Sequence, residues 1–488
     1  TGTRSVAIGA LALYTNNANN NTGVGYNVLY ANSSGVSNSG FGTYSLQANT
    51  GSANSGFGYA TLGSNTSGQY NTAVGSEALA SNTTASNNTA VGYQASYYTT
   101  TAGRNTTVGQ YAGFGNATGT ENTFIGYQSG PNGVTNASGN YNTSLGAFSL
   151  QSNTTASNNT AVGYQAGYSG STTGSNAYLG YQAGYSNTGG NITVVGYKAG
   201  YSHSSASTLT AVGYLAAQAN NGTENTVLGH LGLYTNSSGA YNTAIGSSAL
   251  YSNTTANYNT AVGYQAGYTN STGESHTFVG RKAGYSNTTG TYNTFIGDWA
   301  GYSNTTGTQN TYVGVNSVGY VMTTGSKNTI LGGYSGNQGG LDIRTQSNKV
   351  LLSDGDGFAA IHSVVQAASG STYEPGNFDV TQGVATAGHA NTIALTAGVA
   401  VSVCTGTMSG MILMNDPTNS GSLALFITSG AFINLISQSG TTTFAVTSTP
   451  SAYQIGVYLS GNILYVKAGS SMTNVFLRTI TFKTRTEQ

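Results

Sequence analysis

Glycine returns every 16 to 18 residues through the first two thirds of this 488-residue chain. The series runs Gly9, Gly25, Gly42, Gly58, Gly75, Gly92, Gly109, Gly126, Gly146, Gly163, Gly180, Gly196, Gly213, Gly229, Gly246, Gly263, Gly280, Gly297, Gly314 and Gly332. Its nineteen intervals span 323 residues and average 17.0; only the step of 20 between Gly126 and Gly146 falls outside the range. A period this tight marks a stacked repeat. Each unit must then bury its apolar face against its neighbours. Such a plan points function towards length, stiffness and display rather than chemistry.

Counted from each glycine, position −1 is apolar in all twenty units. Ile8, Val74, Val91, Val162, Val262 and Ile296 belong to this column, which reads as the core of a solenoid. Position −4 is Asn in sixteen units, and position −3 is Thr in sixteen. Asn suits a turn and can bond along a stack as a ladder. Thr is β-branched and favours strands. Position +3 is small, +4 is mostly Leu or Gly, and Tyr recurs at +5. Each unit therefore fits two short strands and two turns, one coil of a parallel β-solenoid. Twenty coils at about 4.8 Å would make a rod of roughly 95 Å.

Neighbouring side chains on a strand point to opposite faces, so −2 faces away from −1. Position −2 holds Phe124, Tyr178, Phe278, Phe295, Tyr312 and Ile330 among others, and no charge. With −1 taken as core, −2 reads as an exposed apolar stripe. Such stripes usually mark contact surfaces. The expectation is that sister chains join through this column.

Composition narrows the partners. The chain has 12 basic and 12 acidic residues and no net charge. Nucleic acid and anionic lipid would find no basic surface, so neither is expected as a partner. No apolar run is long enough for a membrane helix, and membrane insertion is not expected. The single cysteine, Cys404, lies in an apolar alternating run and reads as a buried, inert thiol. The chain opens already inside a repeat, so an attachment region, docked on an upstream attachment protein, is expected before Thr1.

The opening SVAIG, Ser5 to Gly9, and the NTAVG and NTAIG runs that echo it, resemble the head repeat of trimeric autotransporter adhesins. The longer NTAVGYQAGY at 159–168 and 259–268 is similar to repeats of bacteriophage tail fibres and some bacterial surface proteins. The resemblance covers about residues 4–337. It implies a left-handed parallel β-roll packed as a trimer. The unit here is longer than the adhesin head unit.

The period stops after Gly332. Residues 338–357 read as a cap and junction, and SNKVLLSDGDG within them resembles junctions of phage fibre proteins. From 358 to 488, short apolar alternating runs separated by Gly, Asn, Ser or Pro favour a jelly-roll-like β-sandwich tip. The whole chain is thus expected to be all-β: a shaft over 1–337, the junction, and the tip.

No catalytic motif is present, so no enzyme, cofactor or metal is expected. The shaft carboxylates Glu77, Glu121, Glu224, Glu274 and Asp298 read as isolated surface charges. Asp354 and Asp356 invite a calcium reading, but nothing downstream supplies six oxygen ligands and a turn fits as well. His203, His230 and His276 lie on separate coils; in a trimer one of them could form a three-His metal site, whereas His276 in the −4 column reads as a turn substitution. The tyrosine column suits glycan stacking or simple rung-to-rung stacking. On the tip, Asn415, Asp416, Asn419, Tyr453 and Asn462 are the candidate receptor-binding residues.

The expected function is that of a phage tail fibre, extracellular on the virion, whose three tips attach without covalent chemistry to a host surface glycan or protein. The alternatives are a bacterial trimeric autotransporter adhesin passenger, a structural filament or coat protein without a receptor, and a depolymerase. The chain shows no heptads and ends TFKTRTEQ rather than in an aromatic anchor strand.

Overall fold

Every unit places one strand of three or four residues immediately before its glycine. Thr72–Val74 and Thr89–Val91 pair in parallel with Thr72 on Thr89, Ala73 on Ala90 and Val74 on Val91. The same register repeats from Val6–Ile8 to Thr329–Leu331, giving one continuous parallel ladder of twenty strands. In this computed structural model, residues 2–133, 135–170, 172–203, 208–314 and 318–358 are described in full, and from 359 onward only the backbone of strands is described. Lys349–Ser353 adds a further rung, with Val350 on Thr329 and Leu352 on Leu331. The ladder thus outlasts the glycine period, and its buried Leu351 continues the interior column of Ile330. Between these rungs, Asn337–Gln338 and Leu341–Asp342 form a small antiparallel hairpin.

The second half of each coil is not a strand. The glycine turns the chain out of the β region: Gly75 has φ 123°. Left-handed residues then follow at +2 and +4, as at Glu77 (φ 59°) and Leu79 (φ 53°). A left-handed residue breaks the alternation a strand needs. Backbone bonding along the stack persists nonetheless: Glu77 N–H donates to Tyr59 O at 2.8 Å, and Leu79 N–H to Ala95 O at 3.0 Å. The left-handed backbone accounts for the +4 column. Where it is Gly, as at Gly167 (φ 60°), the conformation costs nothing sterically; where it is Leu, stacking must offset the strain.

Burial reverses the expected roles of the two apolar columns. Phe124, Phe278, Phe295, Tyr312 and Ile330 are wholly buried inside their own solenoid, and Tyr178 is 2% exposed. The column expected to meet sister chains is therefore the interior. The column expected to be core points out: Val74 and Ile296 are each 37% exposed, Leu228 is 50% exposed, and Ile8 is exposed as well. Val91, Val162 and Val262 are half-buried. Strand alternation holds, but both columns are apolar, so polarity could not say which faced inward.

The interior is packed by size matching between −2 and +4. The small residues Gly23, Gly40, Gly56 and Ala73 share their coils with Leu29, Leu46, Leu62 and Leu79. Phe124, Tyr178, Phe278 and Phe295 share theirs with Gly130, Gly184, Gly284 and Gly301. A methyl group on Gly284 would sit 2.6 Å from the Phe278 ring, and one on Gly184 would overlap the Tyr178 ring. Close-packed interiors tolerate neither excess nor void, so one column compensates the other.

Asparagine closes the coil at both corners. In the −4 column each side-chain carbonyl accepts the backbone N–H of the next coil, as Asn71 Oδ1 does from Asn88 at 3.0 Å. The amide nitrogen meanwhile donates to a turn carbonyl, Ala85 O at 2.8 Å. A second buried ladder stands at +7, where Asn82 donates to Asn65 at 2.8 Å and Asn253 to Asn236 at 2.8 Å. The −4 ladder was legible in the repeat; the +7 ladder was not. Such buried amides stabilise only because their partners repeat every rung; an unpaired one would cost about 1–3 kcal/mol.

The C-terminal strands form two four-stranded sheets. One runs Ala400–Thr405, Ile463–Ala468, Gln454–Ser460, Thr443–Ala445, with its last pair parallel. The other runs Phe432–Ser439, Leu423–Gly430, Met408–Asn415, Phe476–Ile480 and is antiparallel throughout.

Candidate self-association face and aromatic ladders

The outward face of the parallel sheet is built from two columns. Position −3 supplies mainly threonine, half-buried in most coils, and position −1 supplies aliphatic or Phe side chains that are half-buried or exposed. The side chains of −1 stand in register, one per rung, from Ile8 to Leu331. Phe41 and Phe57 stack within this row at 4.9 Å. Leaving a Val, Leu or Ile in water forgoes about 1.5–3 kcal/mol of burial. A row of twenty apolar residues, with no charge among them, runs along the solenoid surface.

Tyrosines form two further rows. At +5, Tyr234, Tyr251, Tyr268, Tyr285 and Tyr302 stack in sequence, and Tyr320, at +6 in the next coil, continues the row, with centroids 5.0 to 5.1 Å apart. At +1, Tyr164, Tyr181, Tyr197 and Tyr214 stack at 5.1 to 5.3 Å, and His230 continues the row at 5.2 Å. The +5 rings use their faces on one another, so a glycan would meet edges and hydroxyls rather than open platforms. Stacking between rungs is the role this geometry serves. Burial and the neighbouring phenols raise the pKa of Tyr251 and of Tyr285.

The charges of the shaft also pair along the stack. Arg281 makes a bidentate bridge to Asp298 at 2.8 and 2.7 Å, and Arg104 meets Glu121 at 2.8 Å. Gln94 donates to Glu77. Glu121, Asp298 and Glu77 are therefore not isolated, although exposed pairs contribute under about 1 kcal/mol.

The three histidines do different things. His276 replaces an asparagine of the −4 ladder: the Asn293 N–H donates to its Nδ1 at 3.1 Å, which places the ring proton on Nε2. Burial pushes it down to about 4. His203 occupies the +7 ladder, donates from Nδ1 to Asn220 O at 2.6 Å, and is likewise lowered by burial. His230 belongs to the +1 row. They sit in three different columns, and among the described residues no group of three or more His, Cys, Asp or Glu side chains could hold a metal ion. Asp354 Oδ1 accepts the N–H of Asp356 at 3.1 Å and of Phe358 at 2.8 Å, which is the geometry of a turn.

Of the tip residues singled out from sequence, Asn415 ends the strand Met408–Asn415, where only the backbone is described. Asp416, Asn419, Tyr453 and Asn462 lie outside the described residues. Cys404 lies on Ala400–Thr405, again as backbone.

The fold defines the chain's class: a parallel β-solenoid of about twenty coils of about 17 residues. Comparison with protein-family models, with curated proteins and with solved structures gives no match.

Proposed function

We propose that this chain is the shaft and tip of a homotrimeric extracellular fibre, that of a phage tail, which attaches to a host surface without covalent chemistry. One observation carries the reading: the −1 column is apolar in every unit and faces outward. Three solenoids related by a threefold axis would bury that column against one another. On this reading the trimer contact lies at −1 rather than −2. The resemblance of SVAIG and NTAVGYQAGY to adhesin-head and tail-fibre repeats agrees with a trimeric roll. The two four-stranded sheets after residue 400 supply the strands a β-sandwich tip would need. Linking three weak tip sites makes later contacts intramolecular and raises avidity by about 10² to 10⁴.

The receptor is expected to be a surface glycan or protein. Binding of the full chain to a glycan array and to intact bacterial cells tests this. Retention on one glycan class or one host, lost after the tip is removed by limited proteolysis, is the expected result. No retention at any density leaves a structural filament without receptor.

A further inference from the structure

Coupling of two phenols needs neighbouring rings that can bring the carbons ortho to their hydroxyls within reach of each other. In the +5 row, Tyr268 and Tyr285 lie 5.1 Å apart with planes 5° from parallel, and Tyr185 and Tyr201 lie 5.0 Å apart, also at 5°. Six such residues follow one another from Tyr234 to Tyr320, one on each rung. These rings are only half-buried, so they have room to rotate and meet an oxidant.

We propose that the stacked +5 tyrosines are a modification site, at which a one-electron oxidant such as a peroxidase with hydrogen peroxide links neighbouring rungs through dityrosine. Each of two adjacent phenols gives one electron to the oxidant and its hydroxyl proton to water. The two radicals pair to form one carbon–carbon bond between ortho positions. The hydrogen on each bonded carbon then moves to its ring oxygen, restoring both phenols. The net change is the loss of two electrons and two protons per link. Each bond closes a loop of one coil and staples that coil to the next, which restricts the unfolded chain.

The test uses the full chain, mixed from labelled and unlabelled preparations, and a photo-oxidised ruthenium complex with persulfate as electron acceptor. After oxidation the chain is denatured and cleaved with trypsin. Lys198 separates Tyr185 from Tyr201, and Arg281 and Lys282 separate Tyr268 from Tyr285, so both links join distinct peptides. Mass spectrometry is expected to find these one-rung pairs within single chains. Their yield should exceed that of chain oxidised in guanidinium by about tenfold or more, as expected when the partners are held together. Tyr292, which has no stacked partner among the described residues, should be absent from the links. Tyr285→Phe keeps the stack but provides no phenol, so it should abolish the 268–285 link and spare 185–201. Links scattered without regard to rung, links mainly between chains, or equal yields from folded and unfolded chain would overturn the proposal.

Discussion

Single residues carry demands that composition hides. Gly263 has φ 138°, and a methyl group there would stand 2.4 Å from the carbonyl oxygen of Gly280. Gly263→Ala is expected to cost at least about 2–4 kcal/mol, read as a lowered urea midpoint, because neither the backbone angle nor the next rung can give way. The glycine period was legible for this reason: each one marks a bend pressed against its successor. The two ladder histidines make a second prediction. Free histidine titrates near 6.5. In the fold His276 is pushed down to about 4, so it stays neutral where the unfolded chain takes up a proton. Stability therefore falls as pH drops from about 6.5 towards about 4, and changes no further through this group below that. His203 is shifted in the same direction. The double variant His203→Asn with His276→Asn restores the asparagine that most other coils carry, and its urea midpoints at pH 7 and pH 5 should lie closer together than those of the parent.

At the scale of the coil, the informative unit is a pair of positions. Phe278 fills the space left by Gly267 and Gly284, as Leu79 fills the space beside Ala73. Phe278→Ala should cost about 3–5 kcal/mol. Gly284→Leu alone should also destabilise, since its Cβ would stand 2.6 Å from the Phe278 ring. Combined, the two should recover part of the loss, with a coupling of about 1–3 kcal/mol in a denaturation cycle. This covariation was present in the sequence and identifies −2 as the interior. A column whose bulk changes with +4 must share a closed space with it. Reading polarity alone put Val74 inside and Phe124 outside, the reverse of what burial shows. The second strand expected in each coil is replaced by a turn, because left-handed Glu77 and Leu79 break the extended backbone. The asparagines at +7 went unnoticed because their partners lie one coil away, at a distance the local turn does not reveal.

At the scale of the whole molecule, the −1 column is the face the proposed trimer would use. An interior column can vary rung by rung and be compensated within its own chain. An outward column that had to fit copies of itself would have less freedom, and this one never departs from apolar residues. Replacing Val262 and Ile296 by Asp puts charges into that face while leaving the interior untouched. The expected outcome is a smaller species at the same concentration, with its β-sheet circular dichroism retained; loss of the fold instead would place these residues in the core. The candidate receptor-binding residues are the least legible in sequence, because strand alternation does not say which loop residues converge. The most direct measurement is the mass of the intact chain in solution by sedimentation equilibrium. Burial of the −1 column between three copies predicts about 148 kDa, three times the 49.4 kDa chain. A species that stays at the mass of one chain across the accessible concentrations would contradict it.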